Sequence, residues 1–263
     1  MKIKITTCIN LLLLFLLNGC THYYYIPNVQ NVPMFRQKGE ARVSLQLGGE
    51  DQTSTYEIHT AYSVTNHIAV MANYMSAFGG KKDSVSSWAQ GNYYEVAIGY
   101  YKTLNKSFVF ETYFGSAIGN QHHQYSVSDF WYGGTYNNGN SDLACAKFFI
   151  QPSIGVKLKA FDFALSTRLS NLNFNRIENH LYTNNYEFTY LDQIDKSRNS
   201  FLLESALTIR FGRVQCKLQL QAQYSDNLTH QNLKFNNSNI SLGLRFAFSN
   251  KDLQSIFKKR SNR

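Results

Sequence analysis

The chain has 263 residues and a formal net charge of +9, with 16% charged and 15% aromatic residues. Soluble globular domains usually carry about 25% charged residues, so the composition argues against an ordinary water-soluble fold. No apolar run after Leu17 approaches the ~18 residues of a spanning helix, and a membrane protein without such helices has to be a closed barrel, because lipid satisfies no main-chain hydrogen bonds.

Lys2 and Lys4 give a basic start, Leu11–Leu17 is wholly apolar, and Leu17-Asn18-Gly19-Cys20 follows. The apolar core is too short to remain as a membrane helix and a cleavage site adjoins it, so residues 1–19 read as an export signal. A small residue directly before a cysteine resembles the lipobox of bacterial lipoproteins. On that resemblance Cys20 becomes the first mature residue and carries the lipid, palmitate included, although Asn18 is unusual at its position. Residues 20–40 contain Pro27 and Pro33, which argue against a helix. That stretch reads as a lipid-anchored tether or a partial plug, the plain tether being the simpler of the two.

Ten segments with an apolar residue at every second position follow. They are Ala41–Gly49, Ser54–Val64, Asn66–Tyr74, Asn92–Tyr101, Ser107–Asn120, Leu143–Lys159, Phe161–Leu172, Ser200–Phe211, Val214–Tyr224 and Asn239–Phe248. The ninth is the clearest: Val214, Cys216, Leu218, Leu220, Ala222 and Tyr224 alternate with Gln215, Lys217, Gln219, Gln221 and Gln223. A helix cannot share this period, and many of the segments reach the ~9–11 residues of a tilted membrane strand.

The polar face is rich in small residues (Ala97, Gly99, Gly115, Ala117, Gly155, Ala164) and poor in charge. That suits a crowded interior rather than a wetted surface, so the apolar face is assigned to lipid. Tyr74, Tyr94, Tyr100, Phe161, Phe211 and Tyr224 sit at strand ends, where an interfacial girdle belongs. The connections alternate tight and long, with Met75–Gly91, Gln121–Asp142, Asn173–Asn199 and Ser225–Ser238 as the long polar ones. The expected fold is all-β: an up-and-down antiparallel transmembrane barrel of about ten strands over residues 41–248, with short periplasmic turns and long external loops. An even strand number then places both termini in the periplasm, and the basic tail 249–263 with them. Bacterial outer-membrane lipid is the expected surrounding. There is no groove-reading module for nucleic acid.

Four stretches carry a family resemblance: Tyr24–Glu40 (YYIPNVQNVPMFRQKGE), Ala61–Tyr74 (AYSVTNHIAVMANY), Glu204–Leu228 (ESALTIRFGRVQCKLQLQAQYSDNL) and Ser241–Phe248 (SLGLRFAF). The chain resembles outer-membrane lipoprotein β-barrels of Bacteroidota. The resemblance spans most of the mature chain and implies fold and location. It brings no activity, cofactor or site with it.

Strand parity turns Arg42, Glu57, Glu95, Glu111, Lys147, Lys157, Asp162, Arg168, Glu204, Arg210, Lys217 and Arg245 inward. Ten strands enclose a lumen only slightly wider than the eight-strand case that side chains fill. Buried charges have to be paired, so a packed lumen with salt-bridge networks is expected, rather than an open pore. Trp88, Trp131 and Tyr132 are the loop aromatics, with Asn137–Asn140 nearby. They suit contact with a surface glycan or protein, or pack the loops on themselves.

No catalytic residue is assigned. His67 and Asn73 face inward, away from any lipid ester. His122, His123, Ser126 and Ser128 lie at a loop root, and no nucleophile elbow or phosphate loop is present. Cys145 and Cys216 fall on opposite faces, so no disulfide is expected between them. No metal-ligand spacing appears and no cofactor is expected. The sequence reads as a structural or binding barrel with a filled lumen and no catalysis. The alternatives are a lipid-modifying enzyme acting on lipid A or phospholipid acyl chains, or a narrow small-solute channel.

Overall fold

A computed structural model describes residues 22–50, 53–80, 87–129, 134–182, 186–229 and 233–249. Ten strands form one closed sheet: β1 (Ala41–Glu50), β2 (Thr53–Ser63), β3 (Ile68–Gly80), β4 (Trp88–Thr103), β5 (Phe108–Asp129), β6 (Gly134–Lys157), β7 (Phe161–Asn179), β8 (Asn199–Gly212), β9 (Cys216–Asn227) and β10 (Ser238–Phe248). Each pairs antiparallel with its sequence neighbours, and β1 pairs with β10 to close the ring. One helix is described, α1 (Tyr186–Lys196), between β7 and β8.

Period-2 patterning sorts the side chains. Along β9 every second residue from Lys217 to Asn227 is buried, and the residues between them are exposed. The outer wall exposes Leu47, Val96, Phe114, Ile118, Phe148, Leu165 and Leu242 among many others, with Leu47 70% exposed. An apolar surface of this extent suits acyl chains and not water. Inside, glycines make room for rings: a Cβ on Gly115 would come within 2.4 Å of the Phe149 ring and 2.6 Å of Ala97 Cβ.

The tight end of the barrel is made of 64–67, 104–107, 158–160 and 213–215. Local side chains hold two of these turns. Thr65 Oγ1 accepts from the amides of His67 and Ile68, and Asn105 Oδ1 from those of Ser107 and Phe108. Gly212 begins another with φ +140°, where a Cβ would lie 2.7 Å from the Cys216 carbonyl oxygen. His67 sits exposed in its turn and stacks on Tyr100, because β3 starts one residue later; it does not point inward as expected.

The opposite end departs from the expected loops. β5 and β6 run on together to Asp129 and Gly134, past the point where a loop was expected at Gln121. β3, β4 and β7 extend in the same direction. Above the apolar belt the outward residues of β5 and β6 are polar (Asn120, His122, Asp142), and the inward ones mix apolar Tyr125 and Leu143 with polar His123 and Ser141, so the alternation that marks strands in sequence disappears there. A bulge beside Ala144/Cys145 leaves Asn175 unmatched in β7 and turns Arg176 and Glu178 outward. α1 lies in the expected loop 173–199; its Leu191 and Ile194 are buried in a cluster with Leu172, Phe174, Leu181, Leu202 and Leu233.

Candidate functional site

Residues 22–40 run down the axis of the barrel. An extended segment there has no neighbouring strand on most of its length, so its main-chain groups need side-chain partners. The inward residues supply them in order. The Tyr24 amide donates to the Lys234 carbonyl (2.8 Å), and Tyr25 forms an isolated bridge with Phe235. The Val29 amide donates to Glu57 at 3.0 Å. Gln221 grips Gln30 twice, accepting from its amide (2.8 Å) and donating to its carbonyl (2.9 Å), as a paired strand would. Gln151 donates to the Asn31 carbonyl (2.8 Å), Arg210 to that of Val32 (2.7 Å), Arg245 to that of Pro33 (2.6 Å) and Lys157 to that of Met34 (3.3 Å). Glu111 accepts from the Phe35 amide at 2.8 Å. The segment leaves at the tight end, where the Gly39 amide donates to the Ser63 carbonyl.

Residues 22–35 therefore fill the axis of the barrel. The sequence signal was available: from Tyr23 to Phe35 the chain has no charged residue, two prolines and several amides. That is too polar for lipid and too apolar for a wetted linker.

The inward charges divide their work. Glu95 is fully enclosed and faces Arg168 (3.2 Å) and Lys147 (3.8 Å), and it accepts from Asn73 (2.7 Å). Asn28 of the axial segment completes this group. Its Nδ2 donates to Glu95 (3.2 Å), and its Oδ1 accepts from Lys147 (2.8 Å) and Arg168 (2.9 Å). Glu204 accepts from Tyr25 Oη (2.8 Å) and Ser170 (2.9 Å). Lys217 pairs with Asp162 at 2.7 Å, Arg42 pairs with Glu40 at 2.7 Å, and the Arg42 guanidinium covers the Phe35 ring. Salt bridges between strands are thus only part of the network. Arg210, Arg245, Lys157, Glu57 and Glu111 spend hydrogen bonds on the segment's backbone. Polar atoms of Gln46, Thr55, Gln223 and Ser241, on the β1–β2–β9–β10 wall, have no hydrogen-bond partner among the described residues.

At the loop end the axial segment meets a second cluster. His22 and His123 share a hydrogen bond between their Nδ1 atoms at 3.2 Å. Tyr24 Oη donates to Glu187 of α1 (2.8 Å), and Glu187 also pairs with Lys234. Burial lowers the His22 imidazole to about 4; the nearby Glu187 carboxylate opposes this shift and Lys234 adds to it. Both rings are neutral donors or acceptors in this setting.

The remaining sequence candidates are dispersed. Trp88 begins β4, half-buried, with its ring 5.1 Å from that of His122. Trp131, Tyr132 and Cys20 lie outside the described residues. His122 faces outward and bonds Asp142 at 2.8 Å, whereas His123 faces the lumen. Ser126 bonds Ser87, two alternations along the strand from His122. Cys145 is buried and Cys216 is exposed on the outer wall, both as free thiols. Among the described residues no group of three or more His, Cys, Asp or Glu side chains could hold a metal ion.

The two described ends of the chain lie at opposite mouths. Residues 22–35 cross the barrel before β1 begins, while β10 ends beside Ala41 at the tight end.

No protein-family model and no curated protein matches the chain. Among solved structures it is similar to Ail, the attachment invasion locus protein of Yersinia pestis (13% identity, 80% of this chain and 99% of that chain, TM-score 0.33). It is also similar to the outer membrane protease OmpT from Escherichia coli (11% identity, 83% and 99%, TM-score 0.44). A third is the translocator domain of the autotransporter NalP from Neisseria meningitidis (10% identity, 80% and 89%, TM-score 0.41). At these scores the likenesses carry no argument about function, and the barrel architecture rests on the strand pairing described above.

Proposed function

We propose that the protein is a bacterial outer-membrane β-barrel lipoprotein, lipidated at Cys20, that is closed to solute flow and acts without catalysis through its loop end. The carrying observation is the axial segment: from Val29 to Phe35 its main chain is bonded to inward side chains of β2, β5, β6, β8, β9 and β10. A barrel built to conduct would leave that axis to water. The apolar outer wall supports the membrane location, and the long-strand end with Trp88, Trp131 and Tyr132 supports contact with a surface glycan or protein.

Liposome swelling tests the closed lumen. Vesicles holding the intact chain should swell with small sugars no faster than empty ones, and removal of residues 22–36 should speed swelling. Rapid swelling with the intact chain overturns the reading. Ala substitutions at Trp88, Trp131 and Tyr132 together should reduce binding of cells to immobilised glycans or partner cells; unchanged binding removes the loop-contact part.

One observation favours the enzymatic alternative: the outward His122–Asp142 pair beside Trp88, at the rim of the belt, has the orientation of a general base and its partner. A nucleophile has to stand within hydrogen-bond reach of such a base. Ser126, the serine nearest along this strand face, is four residues away and engaged with Ser87. Lipid profiles of a deletion strain complemented with wild type or His122→Ala separate the readings. Altered acylation restored only by wild type would establish the enzyme.

A further inference from the structure

The axial segment has a direction. Its contacts descend in sequence order from His123, Glu187 and Lys234 at the loop mouth, through Glu95 and Gln221 at mid-height, to Lys157 and Ser63 at the tight end. The chain therefore enters from the loop side and reaches β1 at the tight side. The position of its upper end can be read from the strand register. Thr53 pairs with Gly79, Gly79 with Ala89, and Ala89 with His123, so one hydrogen-bonded row links the rim at the β1–β2 hairpin to His123. His22 and Tyr23 share a crevice with Thr53, Phe78, Gly79, Gly80 and Trp88 along that rim. His22, the first described residue, thus stands beside that rim.

We propose that the acyl chains on Cys20 insert in the leaflet on the loop side, so that the barrel carries its own N-terminus through its lumen and is anchored by lipid on the face opposite its C-terminal strand end. This rests on the reading of Cys20 as lipidated and of the loop end as external. Cys20 precedes His22 by two residues, which span at most about 7 Å of chain. The apolar belt of such a barrel is about 25 Å tall, so those residues cannot return to the tight end. The wall is lowest where the lipid has to cross it. β1 and β2 end at Glu50 and Thr53, while β5 and β6 rise to Asp129 and Gly134. Below the low rim the outer wall presents Leu47, Phe78 and Ile240, all exposed and apolar. Acyl chains leaving the mouth there meet a surface already suited to them.

The test uses three full-length forms with a short epitope inserted between Thr21 and His22, in the α1 connection at residues 183–185, or after residue 249. Antibody binding is compared on intact and permeabilised cells. The first two tags should be detected on intact cells to a similar extent, and the third should gain at least tenfold on permeabilisation. If the N-terminal tag behaves like the C-terminal one, the proposal is overturned. Because an inserted tag could hinder threading, Tyr23→Cys and Asn105→Cys in a Cys216→Ser background are labelled with a membrane-impermeant maleimide. Labelling on intact cells should occur at position 23 and not at 105, and the reverse overturns the proposal. Mass spectrometry of the N-terminal peptide separates the underlying reading. An unmodified Cys20 with position 23 labelled refutes lipidation and with it the anchor, while showing the threading direction to hold.

Discussion

Replacing Asn28 with alanine should loosen the axial segment from the wall. The carboxamide makes four hydrogen bonds: two with the buried cations Lys147 and Arg168, one with the buried Glu95 carboxylate, and a longer one to the Val29 carbonyl at 3.4 Å. Hydrogen bonds to charged groups contribute about 1.5–3 kcal/mol each. The sum is reduced because each partner keeps another contact: Lys147 keeps Tyr25 Oη, Arg168 keeps Gln151, and Glu95 keeps Asn73. A water in the vacated space restores part of the rest. The expected net loss is about 2–4 kcal/mol. Asn28→Leu separates this electrostatic account from simple packing. Leucine fills the space with methyl groups and excludes the water, so it should cost more than alanine; if packing governed the site, it would cost less. Equilibrium urea unfolding in lipid vesicles, followed by tryptophan fluorescence and by the gel mobility of the folded form, measures both. A loss below about 0.5 kcal/mol for Asn28→Ala, or a leucine variant more stable than the alanine one, would refute the reasoning.

Gly115→Val should destabilise the barrel by about 1–3 kcal/mol, because its side chain meets the Phe149 ring, Ala97 Cβ and the Val96 carbonyl, the last of which cannot move aside. Urea midpoints of purified barrels check this. Phe35→Ala should cost about 3–5 kcal/mol, since the ring is fully buried against Tyr101 and under Arg42; the same unfolding series reads it. Acid should loosen the loop mouth. His22 is held near 4 in the folded chain against 6.5 when unfolded, so the unfolded form binds the extra proton between those values. Stability is fully present above about pH 6.5 and falls as pH drops toward 4, by about 3 kcal/mol in total. Protease cleavage near the N-terminal segment should rise over that interval in wild type and much less in His22→Gln.

Strand number, facing and the tight turns were legible because the belt imposes a strict period of two: Leu218, Leu220 and Tyr224 face out, and Lys217, Gln219 and Gln221 face in. The rim was not, since above Asn120 the outward residues of β5 and β6 turn polar while the inward ones mix Tyr125 and Leu143 with His123 and Ser141, and no alternation remains. Asn175 could not be recognised as a bulge from sequence, so the outward turn of Arg176 was hidden as well. The inward charges could be enumerated by parity, but their partners could not. The expected solution was carboxylates paired with cations. What Arg210, Arg245 and Glu111 meet instead is peptide backbone that lies over 70 residues away in the chain. The absence of charge between Tyr23 and Phe35 was the readable hint of that arrangement.

The seam between β1 and β10, from Ala41 opposite Phe248 to Gly49 opposite Ile240, joins the two ends of the sheet. The axial segment is continuous with β1, the strand on one side of that seam. A ring sealed before the segment was laid down would hold Glu95, Arg168, Lys147 and Arg210 around a bare axis, and a chain would then have to be fed through end-on. Laying the segment along a sheet that is still an open ribbon avoids both. The expected order of assembly therefore ends with the meeting of the first and final strands around an occupant already in place, and mutations that weaken its docking should delay closure more than they alter the strands themselves.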